Sequence, residues 1–158
     1  MPSASDNGHD QHGNSCPFRR VLVAWDGSPD SHMALRTAAA IVAGTPGHVV
    51  AFAVLAPSPP REAGDDQPGM PEAARHTRDA FGLARDSLGT KSVPVTLETT
   101  QGRQVPKSIC EFAAEHGFDL LVLGRHGQGG ILHPKLGHTA QETARIARVP
   151  VLLVSAHH

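Results

Sequence analysis

Short, nearly continuous apolar runs recur along this sequence, each separated from the next by a segment of helical period. Val21-Leu22-Val23-Ala24-Trp25 is the first; residues 48–55, 93–99, 120–123 and 149–155 are the others. A strand covered on both faces has no polar side to display, so it reads as an unbroken apolar run. After the first run, Ser28-Pro29-Asp30 supplies an N-cap, a proline for the first helical position and an acid for the first turn. Leu35, Ala38, Ala39 and Val42 follow at helical spacing, and Gly44 provides the stop. Residues 72–88 predict a second helix, with Ala73, Ala80, Phe81 and Ala84 on its inner face. Val105, Ile109, Phe112, Ala113 and His116 form a third stripe ended by Gly117, and residues 139–147 a fourth helix. The order β-α-β-α-β-α-β-α-β predicts an α/β domain with a parallel sheet.

At 158 residues the chain fits one domain, and residues 18–156 are assigned to it. Aromatics are only 4% of the sequence, so the core must be built from Ala, Val, Leu and Ile. A formal charge of −1 leaves no electrostatic footprint for nucleic acid or anionic lipid, and neither is expected as a partner. Two cysteines cannot make a disulfide framework. No secretory leader or membrane-spanning run is visible, so the expected location is the cytoplasm. Residues 1–17 lack apolar periodicity and are expected to be a disordered polar tail. Residues 57–71 hold five prolines and are expected to form a long flexible loop.

Ligands of open parallel sheets sit beyond the carboxyl ends of strands, where the strand order reverses. Two turns fall at such ends: Asp26-Gly27-Ser28 after the first strand, and Gly124-Arg125-His126-Gly127-Gln128-Gly129-Gly130 after the fourth. The second turn runs on to Gly137-His138-Thr139, where the last helix begins. Flexible glycine backbone leading into a helix N-terminus offers unpaired N–H groups and a favourable dipole to a phosphate. A plain glycine-rich connector would read the same way. No G-x-x-x-x-G-K-[ST] occurs, G-x-G-x-x-G does not follow the first strand, and no G-x-S-x-G is present.

VLVAWDGSPDS, then LLVLGRHGQGG…LGHTA, then the closing PVLLV resemble a universal stress protein domain over about residues 18–156. The resemblance implies an adenine-nucleotide α-hydrolase-like α/β fold: five parallel strands in the order 3-2-1-4-5 between two helical layers, usually as a homodimer. It also implies an ATP site built on G-x2-G-x9-G-[ST]. Gly124, Gly127 and Gly137 match that spacing, Asp26 matches the acid beside the nucleotide, and Val54 matches the position near adenine. His138 stands where the motif has Ser or Thr. A bound phosphate favours an imidazolium there, whereas the helix N-terminus alone disfavours one. Thr139 supplies a hydroxyl if the turn is shifted by one residue.

Each candidate has a plainer reading. Asp26 can orient ribose or hold Mg2+, or simply organise an Asx-turn. His126 can meet phosphate or brace its own loop, and Arg125 is read as a solvated charge while Lys135 stays open. His9, His12, Cys16, His157 and His158 are too few and too scattered for a metal site. Cys110 reads as a packed small side chain, and Trp25 as core rather than as a wall of an adenine pocket, since alternate strand positions face opposite ways. The resulting expectation is an ATP-binding stress-response module, with or without Mg2+, that couples nucleotide occupancy to a regulatory protein partner and dimerises through its C-terminal strand. The alternatives are an ATP-independent dimeric interaction protein with the phosphate site closed by His138, and a slow ATPase. No acid lies between Gly124 and Thr139, so His126 would have to serve as the base, and no catalytic residue is assigned.

Overall fold

In the computed structural model, residues 16–58, 70–89, 93–128 and 135–156 are described. Among them β1 (Arg20–Ala24), α1 (Pro29–Val42), β2 (His48–Leu55), α2 (Glu72–Ser87), β3 (Val95–Gln101), α3 (Val105–Glu115), β4 (Leu120–Gly124), α4 (His138–Ile146) and β5 (Val151–Val154) follow one another. The strands form one sheet in the order β3-β2-β1-β4-β5, with every pairing parallel. This is the α/β fold and strand order expected from the sequence. Most of the predicted tail and of the 57–71 loop falls outside the described residues.

Alternation along the strands divides the core into two layers. Val21, Val23 and Trp25 join Val49, Ala51 and Ala53 against Leu35 and Ala38 of α1 and Phe81 and Ala84 of α2. Leu22, Val50, Phe52, Leu121 and Leu123 face the other way, against Ile109 and Ala113 of α3 and Phe118. Trp25 is core, as predicted: it is 4% exposed, meets Phe81 edge-on at 5.9 Å and has the His32 ring 4.8 Å away. Phe112 stacks on Phe52 at 4.1 Å between α3 and β2.

Local chemistry accounts for the element boundaries. Ser28 caps α1, its Oγ accepting from the Ser31 amide at 3.2 Å. Gly44 (φ 74°) and Gly117 (φ 65°) adopt the left-handed backbone that follows α1 and α3. β3 and β5 both begin later than the apolar pattern suggests, at Val95 and Val151, directly after Pro94 and Pro150. Proline has no N–H for the ladder, yet both carbonyls still accept, from Val49 and Leu121 at 2.9 Å each. The buried face of α2 also differs from the one the apolar pattern predicts. Phe81 and Ala84 are buried, but Ala73 and Ala80 are exposed; Ala74, Thr77, Gly82 and Leu88 are half-buried, and Leu88 packs against the core. Alanine carries too little apolar area to mark a face by itself. His116 likewise is exposed at the end of α3, its ring stacked on Phe112 at 4.1 Å.

Candidate functional site

β1 and β4 are neighbours in the middle of the sheet, and the chain leaves them toward opposite edges. A cavity of about 480 Å3 opens at their carboxyl ends, within the range of small-molecule sites. Phe52, Val54, Val105, Ile109 and Leu123 give it an apolar wall, to which the core residue Trp25 also contributes, while Asp26, Ser28, Ser31, Gly124, His126, Gly127, Gln128, Gly137, His138 and Thr139 give it a polar one. All seven residues proposed from the sequence, Asp26, Val54, Gly124, Gly127, Gly137, His138 and Thr139, line this one cavity. Arg125 and Lys135 are not among its lining residues.

Two segments build the polar wall. After β1, Asp26 turns the chain: its Oδ1 accepts from the Ser28 amide at 2.9 Å, and Gly27 takes φ 78°. The Asx-turn expected as the plainer role of Asp26 is therefore present, and the exposed carboxylate still borders the cavity. After β4, the loop folds over that turn. Gln128 Nε2 donates to the Asp26 carbonyl at 2.9 Å, tying the two turns together.

Each glycine of the spaced motif has a packing reason. A Cβ at Gly124 would lie 2.5 Å from Asp30 Cβ and 2.9 Å from its carbonyl carbon. At Gly127 it would lie 2.9 Å from Asp26 Oδ2, and at Gly137 3.2 Å from the Arg125 carbonyl oxygen. Gly137 also donates to that carbonyl at 2.8 Å and stands as N-cap of α4, without a side-chain cap. The helix begins at His138, one residue earlier than predicted. His138 is exposed and Thr139 half-buried, so an uncapped first turn with both polar side chains borders the cavity.

Asp30 has a role that its place in the sequence does not announce. It reads as an ordinary first-turn acid, yet it is 4% exposed. Its Oδ1 accepts from the Ala156 amide at 2.8 Å; its Oδ2 accepts from the His126 amide at 3.0 Å and faces His126 Nδ1 at 3.3 Å. Burial alone pushes this carboxyl up, but the amides of Ala156 and His126 and the His126 ring outweigh it and hold the group below its ordinary value. Nε2 of His126 lies 2.8 Å from the Lys135 carbonyl oxygen, an acceptor, and so donates to it. His126 thus braces its loop. The only signal in the sequence was an acid at the position after the helix-initiating proline, which many surface helices share.

Cys110 Sγ donates to the Thr143 carbonyl at 3.7 Å, and burial pushes its thiol up, as befits a packed side chain. Among the described residues no group of three or more His, Cys, Asp and Glu could hold a metal ion, and no helix is long and apolar enough to cross a membrane. His9, His12, His157 and His158 lie outside the described residues.

The sequence profile of the universal stress protein family matches residues 17–155. No curated protein matches the chain. Among solved structures, the universal stress protein UspA from Lactobacillus plantarum is similar at 21% identity and TM-score 0.70, covering 87% of this chain and 97% of its own. A universal stress protein in complex with cAMP is similar at 22% identity and TM-score 0.67, covering 89% and 99%. The universal stress protein from Archaeoglobus fulgidus in complex with dAMP is similar at 18% identity and TM-score 0.61, covering 87% and 97%.

Proposed function

The chain belongs to the universal stress protein family, and from that premise we propose that it binds an adenine nucleotide, ATP with Mg2+, as a regulatory module rather than as an enzyme. The carrying observation is the union, in one cavity, of an apolar wall with a glycine loop that feeds the uncapped start of α4. The apolar wall at Val54, Phe52, Val105 and Ile109 suits a base. The backbone amides of the loop and of α4 suit phosphates. Two of the similar structures hold adenine nucleotides, cAMP and dAMP, which supports the base assignment.

No Lys or Arg lies among the described lining residues, so phosphate charge needs another counter-charge. His138 opens the first turn of α4, and Asp26 is the one carboxylate among those residues. Magnesium is held by one or two carboxylates together with phosphate oxygens and water, and Asp26 fits that requirement. Bound there, the ion would neutralise phosphate charge.

The engagement of Asp30 and His126 supports binding without rapid turnover. Asp30 accepts two backbone amides, and His126 Nε2 is held on the Lys135 carbonyl, so neither is poised to activate water. Dimerisation through β5 completes the proposal. β5 is an edge of the sheet, and Val151, Leu152, Leu153 and Val154 are all only half-buried. A regulatory protein partner would then read the nucleotide-dependent state of the dimer.

Calorimetric titration with ATP, with and without Mg2+, tests the central claim. Saturable binding of one nucleotide per chain is expected, stronger with Mg2+. No heat of binding at millimolar ATP sinks it and leaves the ATP-independent interaction protein in its place.

A further inference from the structure

We propose that Asp30 is a positioning residue that couples the glycine loop after β4 to the segment leaving β5, so that nucleotide occupancy is felt at the edge of the sheet; this rests on the nucleotide reading above. Asp30 does not line the cavity. Its two carboxylate oxygens divide between two separate segments. Oδ2 accepts from the His126 amide, one residue before Gly127, and Oδ1 accepts from the Ala156 amide, two residues after β5. The carboxylate is buried in the first turn of α1, whose backbone packs so tightly on Gly124 that no Cβ fits there. Gly124 pairs with Val154 in the sheet, and the Arg125 amide donates to the Val154 carbonyl at 2.8 Å. The two segments therefore leave the sheet side by side and meet on one rigid group.

A ligand that draws the loop amides toward its phosphates changes the Asp30–His126 bond. The carboxylate is planar, so rotation to follow one oxygen moves the other. Ala156 then responds without touching the ligand. Coupling of this kind is reciprocal: whatever ATP does to the Ala156 bond, that bond does to ATP affinity.

The experiment is amide hydrogen exchange by NMR on the full chain, with and without ATP and Mg2+, in wild type, Asp30→Asn and Ala156→Pro. Asparagine keeps the shape but has one acceptor oxygen, so it can serve only one of the two amides. Ala156→Pro deletes the donor and leaves Asp30 in place, which covers the case of an Asp30 variant that does not fold. In wild type, ATP is expected to change exchange at Ala156 about five-fold or more, the lower end of typical allosteric coupling. In Asp30→Asn that response disappears, and in Ala156→Pro ATP affinity changes by a similar factor. A response at Gly127 and Gln128 with none at Ala156, or unaltered affinity in Ala156→Pro, overturns the coupling and leaves nucleotide binding standing. No response at any loop amide overturns both.

Discussion

Gly124 and Asp30 are in such close approach that α1 and the end of β4 share a contact surface with no room for a side chain: a Cβ on Gly124 would lie 2.5 Å from Asp30 Cβ. The first glycine of the loop motif is thus required by helix–strand packing before any ligand is considered. Because the opposing atoms include the backbone of a buried helical turn, Gly124→Ala is expected to destabilise the fold by about 1–3 kcal/mol, the usual cost of overpacking. Urea denaturation measures it. A midpoint equal to wild type would mean that α1 moves freely.

Gly127 makes the opposite case. Its obstacle is Asp26 Oδ2, the far end of an exposed side chain whose Oδ1 holds the Ser28 amide, so room is made at the expense of one hydrogen bond rather than of backbone packing. Gly127→Ala should cost no more than about 1 kcal/mol of stability, the worth of one such bond, and should weaken Mg2+-dependent ATP binding by displacing Asp26. Thermal melting and calorimetry together check this. Loss of stability comparable to that of Gly124→Ala would refute it.

Acid sensitivity follows from Asp30 and Asp119. The Arg19 and Arg20 backbone amides, each donating to Asp119 Oδ2 at 3.0 Å, hold that carboxyl below its ordinary value, as the amides at Asp30 do there. A carboxyl depressed in the folded state contributes stability above its unfolded pKa and loses it as pH falls through the folded one. Unfolding free energy should therefore decline from about pH 5 downward, and Asp30→Asn should be less stable at pH 7 but show a shallower decline. Urea unfolding at pH 7, 5 and 3.5 decides; an unchanged slope in the variant would remove Asp30 from the acid response.

His138 sits exposed at the first position of α4, beside the cavity. His138→Ser places at the start of α4 a small hydroxyl that can donate to a phosphate oxygen, and is expected to bind ATP with an affinity within about ten-fold of wild type. Calorimetry on both proteins reads this out. ATP binding by the serine variant alone would show instead that the histidine blocks the site.

Along α2, Phe81 is 4% exposed and Leu83 75% exposed. Phe81→Ala should cost about 3–5 kcal/mol through its lost contacts and the cavity left beside Trp25, with a change in the near-UV circular dichroism of that tryptophan. Leu83→Ala should be nearly silent. Equal effects would mean that the helix is rotated.

The alternation of strands and helices, the two turns at strand ends, and the glycine spacing that joins loop to helix are all legible in the chain's letters. These are local properties: apolar period, capping and backbone freedom act over a few residues, and they are written in consecutive letters. The proline offsets of β3 and β5 were legible in the same way once the missing N–H was weighed. The face of α2 was not, because Ala73 and Ala80 are apolar yet too small to decide which side a neighbour covers. Nor were the roles of Asp30 and Gln128. Asp30 meets Ala156 across 126 positions and His126 across 96, and Gln128 meets Asp26 across 102. Only the folded sheet decided those meetings, since a carboxylate becomes a shared acceptor when burial removes water and leaves two distant amides as its partners.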